Sequence, residues 1–266
     1  PIIIGGAGDG FTAKLEEKGG LDIIGIYNSG RFRHFGAGSL SGLMPVGRNQ
    51  DMVMDYACEV LSMVQHTPVI AGFCSQDSRT LWEYWFKTLT DMGVSGFMNF
   101  PTVGLIDADS HYRQNLEESG LGYGKEIEVL KLAPKMDLFT IGYCFTAEEA
   151  EMVANAGVDV VACHVGLTSG GLIGAESVMS LEESARVTND LIEAARRVRP
   201  EGDFFAITHG GPMEDPQSTT YVMEHTEAVG YLGASSIERT PVEPAVVKVC
   251  EDFKNMPVNV PDWLKL

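Results

Sequence analysis

The chain has 266 residues, 44% hydrophobic and 21% charged, with a formal net charge of −18. Its apolar mass suffices for one full globular core. The acidic balance excludes sequence-independent binding to nucleic acid or an anionic membrane surface, and no apolar run of 18 residues is present to span a bilayer.

In chain order, eight short apolar runs each lead into a polar loop and then a helix-like stretch. The runs are Ile2–Ala7, Asp22–Asn28, Pro68–Phe73, Ser95–Pro101, Met136–Tyr143, Val158–His164, Asp203–His209 and Ala228–Gly233. The predicted helices cover Thr12–Glu17, Gln50–Gln65, Leu81–Met92, Tyr123–Ala133, Ala147–Ala156, Leu181–Val198, Ser218–Thr226 and Thr240–Lys254. Thr146 with Glu149, and Ser180 with Glu183, have the spacing of capping boxes, and Gly157 stands where a helix ends. Eight βα units in this length predict an α/β fold, a single (β/α)8 TIM barrel over residues 1–254. Two connections, Ser29–Asn49 and Thr102–Gly122, are long enough to wall or cover a site. The tail, residues 255–266, reads either as a loose end or as a segment packed on a neighbouring subunit. Pro257, Val258, Val260, Pro261 and Trp263 favour the second reading, hence a homo-oligomer.

Five cysteines, Cys58, Cys74, Cys144, Cys163 and Cys250, make no CxxC pair. They fit reduced thiols. A start at Pro1, directly in a strand, leaves no room for a signal peptide, so the expected compartment is cytoplasmic.

Barrels of this kind place their chemistry where the strands end. His164 and His209 close the sixth and seventh runs with matching parity, so both imidazoles are expected in the mouth. There they would act as acid and base or share a metal ion. Asn28 and Asn99 end the second and fourth runs and either steady an oxyanion or cap a turn. Asp77 and Glu238 follow the third and eighth runs, each a candidate general base or histidine-orienting group. Ile23–Gln50 contains no Asp or Glu but holds Arg31, Arg33, His34 and Arg48. It reads as an anion-binding loop, with Arg31 and Ser29 at its start, or as a lid paired with a neighbour's carboxylates. Gly210 and Gly211 with Ser235 and Ser236 suggest a second anion cradle, the serines serving equally as helix caps.

Several longer stretches occur in one order: Ile-Tyr-Asn-Ser-Gly-Arg (26–31), Asn-Phe-Pro-Thr-Val-Gly-Leu-Ile-Asp (99–107), Arg-Gln-Asn-Leu-Glu-Glu (113–118), Gly-Ala-Glu (174–176), His-Gly-Gly-Pro (209–212) and Gly-Ala-Ser-Ser-Ile-Glu-Arg (233–239). Together they resemble the phosphoenolpyruvate hydrolase-like TIM-barrel family. That family is related to the phosphoenolpyruvate mutase and isocitrate lyase superfamily and is similar to the C-terminal barrel of a plant antiviral protein. The resemblance implies cleavage or hydrolysis of a C–C or C–P bond beside a carbonyl in a small anionic 2-oxo or enol acid. The alternative is a non-catalytic ligand-sensing or protein-interaction barrel. Superfamily enzymes hold Mg²⁺ on carboxylates near central strand ends, whereas this chain has Cys74, Ser75 and Asn99 there, with Asp77 just beyond. The cofactor therefore stays open between one divalent metal ion, with His164 and His209 as ligand candidates, and metal-free chemistry.

Overall fold

The computed structural model describes residues 1–259 and 261. Eight parallel strands close into a barrel in sequence order: β1 (Ile2–Gly6), β2 (Ile23–Ile26), β3 (Val69–Gly72), β4 (Gly96–Met98), β5 (Phe139–Cys144), β6 (Val160–His164), β7 (Phe205–His209) and β8 (Gly230–Gly233). The helices between them are α1 (Gly10–Gly19), α2 (Asn28–His34), α3 (Asn49–Leu61), α4 (Trp82–Met92), α5 (His111–Glu118), α6 (Tyr123–Leu130), α7 (Leu132–Lys135), α8 (Ala147–Asn155), α9 (Leu181–Val198) and α10 (Pro216–Glu224). After β8 come the short α11 (Ser235–Glu238) and α12 (Val242–Lys254). No helix among the described residues is long and apolar enough to cross a membrane.

Side chains alternate across each strand as a two-residue period requires. On β6, Val160 and Ala162 enter the barrel's inner cluster with Ile4, Ile70, Ile141, Ile207 and Leu232, while Val161 and Cys163 face the helices. Several expected strands are longer than those that form. Before β5, for example, Met136 and Asp137 close the turn that ends α7, with Asp137 at φ 58.

Thr146 caps α8 and Ser180 caps α9 through their hydroxyls, each bond typically worth about 1 kcal/mol. The reciprocal half of each expected capping box does not form. Glu149 turns to Arg113 and the Phe145 N–H, and Glu183 to Arg186. The two long connections carry structure of their own: α2 and a 3-10 turn at Ser39–Leu43 in the first, α5 and a 3-10 turn at Val103–Leu105 in the second. A third long connection, residues 165–180, begins directly after His164.

One helix departs from the barrel pattern. α12 buries none of its residues, and Val242, Val246, Val249 and Phe253 form an exposed apolar stripe along it. Where a covering helix would lie, between α10 and α1, there is instead a groove of about 650 Å³ lined by Ile3, Leu21, Pro216, Met223 and Ile237 among others. In the tail, Met256 and Val258 are exposed; Val260 and Trp263 lie outside the described residues.

Candidate active site

The strand register places His164 directly beside His209, and their ring centroids lie 4.5 Å apart. Both are nearly buried. The His164 ring also packs on Phe145 at 4.6 Å, and Tyr143 stands 5.7 Å from His164 and 5.5 Å from His209. A backbone clasp holds the His164 ring. The Gly166 N–H donates to His164 Nδ1 at 3.0 Å, and the Gly211 N–H donates to the Gly166 carbonyl at 2.8 Å. Gly210 has φ 84 and sits against the His164 ring. A Cβ there would lie 2.1 Å from the Gly166 oxygen, so only glycine fits.

These contacts set the tautomers. Because His164 Nδ1 accepts a hydrogen bond, its proton resides on Nε2. His209 Nδ1 lies 2.5 Å from the Leu232 carbonyl, which can only accept, so Nδ1 carries the proton and Nε2 keeps a lone pair. Burial holds His164 well below the usual imidazole range, with His209 adding to the effect, and burial brings His209 down to about 4. At neutral pH the mouth thus holds two uncharged imidazoles, one presenting N–H and the other a lone pair.

The other expected residues lie elsewhere or are engaged. Glu238 is the centre of a buried clasp. Its Oε1 accepts from Arg33 Nε at 2.5 Å, and its Oε2 accepts from the Gly8 N–H at 2.8 Å and meets His34 Nε2 at 3.0 Å. His34 Nδ1 reaches Asp9 at 2.8 Å. The hydrogen bond to Glu238 raises the His34 pKa despite partial burial. Arg31 donates to the Gly8 carbonyl and pairs with Glu59 at 3.5 Å. The buried cation on this side is Arg33. Asn28 donates to the Gly42 carbonyl and Ser29 to the Ser39 carbonyl, so both hold the β2–α3 connection in place. Asp77 is bonded to Arg48 and Arg79; burial works to raise its pKa, but these contacts outweigh it and hold it low. Ser235 is buried at the start of α11, and Ser236 Oγ bonds the Tyr231 hydroxyl at 2.8 Å on the outer groove.

Asn99 is wholly buried and committed at both ends. Its Nδ2 donates to Glu126 Oε2 at 2.7 Å, and its Oδ1 accepts from the Tyr143 N–H at 2.7 Å. Burial raises the Glu126 pKa to about 7 against opposing hydrogen bonds from Thr102, Val103, Asn99 and Gln76. Nothing in the spacing of Glu126, on the second helix after β4, marked it for this position.

Residues 1–256 match the phosphoenolpyruvate hydrolase-like family, to which the chain belongs. It is 44% identical over 257 residues to the ToMV resistance protein Tm-1(GCR237) of Solanum lycopersicum, covering 96% of this chain and 34% of that protein. The chain thus spans about a third of the tomato relative. Among solved structures, oxaloacetate acetylhydrolase aligns with a TM-score of 0.63 at 13% identity, covering 99% of this chain and 86% of that one. Phosphonopyruvate hydrolase in complex with oxalate and Mg²⁺ aligns at 0.59 and 14% identity, covering 95% and 82%. At such identities these two structures establish the shared barrel.

The donor set of the described residues does not fit a resident divalent ion. Among the described residues no group of three or more His, Cys, Asp or Glu side chains is placed to hold a metal. Asp77 is spent on arginines, Asn99 and Glu126 on each other, and of the two imidazoles only His209 offers Nε2 as a ligand.

Proposed function

We propose that the barrel cleaves a C–C or C–P bond beside a carbonyl in a small anionic 2-oxo or enol acid, with His209 as general base and His164 as hydrogen-bond donor. The observation that carries this reading is the opposite tautomers of two neutral imidazoles at 4.5 Å. In a lyase step, His209 Nε2 takes the proton of a substrate hydroxyl, and the O–H electron pair becomes the C=O π bond. The breaking C–C pair moves onto the neighbouring carbonyl as an enolate, and His164 Nε2–H hydrogen-bonds the enolate oxygen. The proton on His209 then returns to the enolate carbon, so no co-reactant is consumed. A positioned base of this kind contributes about 10²–10⁴ in rate. The anion also favours proton uptake by imidazoles that burial keeps neutral, since a nearby negative charge raises their pKa.

The test is a turnover screen over 2-oxo, 1,3-dicarbonyl and phosphonate acids, with melting curves alongside. His164→Ala and His209→Ala should each abolish turnover and stay folded. Variants with wild-type turnover overturn the assignment.

One observation favours the second reading, a ligand-sensing or protein-interaction barrel. Arg31 and Arg48, expected to meet a substrate anion, are already paired with Glu59 and Asp77. Ligand binding without turnover in the same screen would select it.

The proposal includes a homo-oligomer. A helix with an apolar stripe and no buried residue, on a barrel with an uncovered apolar groove, favours exchange of α12 between copies.

A further inference from the structure

We propose that Tyr143 is a third ligand-contacting group of the mouth, its phenol donating a hydrogen bond to the same carboxylate or enolate oxygen that meets His164 Nε2–H. The inference rests on the reading of the histidine pair given above and adds a residue that neither the strand-end pattern nor the family match singles out.

Tyr143 lies on β5 with the inward parity of Ile141, and its ring belongs to the barrel's inner cluster. Phe100 packs against one part of the ring at 5.2 Å, and the imidazoles of His164 and His209 border it at 5.7 and 5.5 Å. Its backbone is gripped on both sides. Asn99 Oδ1 accepts from the Tyr143 N–H, while Asn99 Nδ2 at 3.4 Å and the Tyr123 hydroxyl both donate to the Tyr143 carbonyl. Glu126 in turn holds Asn99. Asn99 and Glu126 are therefore positioning residues for Tyr143, which accounts for a buried Asn–Glu pair beside a barrel mouth.

The phenol end is free by contrast. Tyr143 Oη makes no hydrogen bond to any described residue, and neither does His164 Nε2 or His209 Nε2. The atoms both sealed and unpaired among the described residues belong to Glu16, Ser75, Trp85 and Arg239. Tyr143 Oη, His164 Nε2 and His209 Nε2 are not among these. A buried tyrosine hydroxyl usually finds a partner, and here three polar atoms without one belong to rings in mutual contact. Burial pushes the phenol pKa well above its ordinary value, so Oη keeps its proton and donates. The mouth thus presents two donors, Tyr143 O–H and His164 N–H, and one acceptor, His209 Nε2. That set complements one anionic oxygen accepting two hydrogen bonds beside one acidic proton, the pattern of a hydroxy or enol carboxylate.

The test uses oxalate as the probe, titrated calorimetrically into the full chain in the presence of EDTA. Tyr143→Phe removes only Oη and keeps the ring packing. Its oxalate Kd should rise on the order of tenfold to a hundredfold, the loss expected for one hydrogen bond to a charged group. Its melting temperature should stay at the wild-type value, because Oη has no partner to lose among the described residues. An unchanged Kd overturns the inference and leaves the histidine reading in place. A large drop in melting temperature assigns the hydroxyl a structural role and also overturns it. Wild-type affinity in both His164→Ala and His209→Ala sinks the histidine reading separately, and a wild-type chain that does not bind oxalate sinks both.

Discussion

Glu16 gives the sharpest stability prediction. It sits on α1 against β1, 3% exposed, with both carboxylate oxygens sealed and unpaired among the described residues. Burial, reinforced by Glu238, raises its pKa from 4.5 to about 8, so the native state keeps a proton that the unfolded chain releases above pH 4.5. The stability this group contributes is complete below pH 4.5 and is lost as pH rises through about 8. At about 1.4 kcal/mol per pH unit, the loss is about 3 kcal/mol at pH 7 and about 5 kcal/mol above pH 8. Glu16→Gln replaces the carboxyl with a neutral group of the same shape and removes the titration. Urea unfolding from pH 4.5 to 9 should therefore show the variant equal to wild type at the acid end and about 3 kcal/mol more stable at pH 7. A variant less stable at pH 7, or a difference that does not change with pH, would mean that Glu16 is ionised and paired, and would refute the reasoning.

Glu238→Ala leaves the Arg33 guanidinium buried without its carboxylate, and unfolding free energy should fall by about 3–5 kcal/mol; urea unfolding that shows a loss below about 1 kcal/mol would contradict the buried clasp. Light scattering should give a multiple of the 28.8 kDa chain mass for wild type and the single-chain mass for Val246→Asp combined with Phe253→Asp; a single-chain mass for wild type removes the oligomer. Millimolar Mg²⁺ should leave the melting temperature of an EDTA-treated sample unchanged, because an ion bound only by the native state would raise it. A rise of several degrees would show a donor set that the side-chain geometry does not provide.

The barrel was legible because its signal is repeated eight times, and the parity of β6 and β7 placed His164 beside His209 from the two-residue period alone. The arginines were not separable. Residues 28–34 read as loop, but they form α2, where Arg31 and Arg33 fall on different faces and only Arg33 turns inward. Glu16 lies inside a predicted helix with nothing in the sequence to mark it as buried, because sequence records no cost for burial. Glu126 depends on how α6 folds back over the end of β4, a tertiary placement that local spacing does not encode. Tyr143 only closes the fifth apolar run in the sequence, and its free hydroxyl appears once its neighbours are in place.

The central claim, two neutral imidazoles in opposite tautomers at the barrel mouth, is tested most directly by long-range ¹H–¹⁵N correlation spectra of the histidine side chains. At pH 7 His164 should carry its proton on Nε2 and His209 on Nδ1, and His209 should begin to titrate only as the pH approaches about 4. The same tautomer on both rings, or a charged imidazole on either at pH 7, would contradict the account.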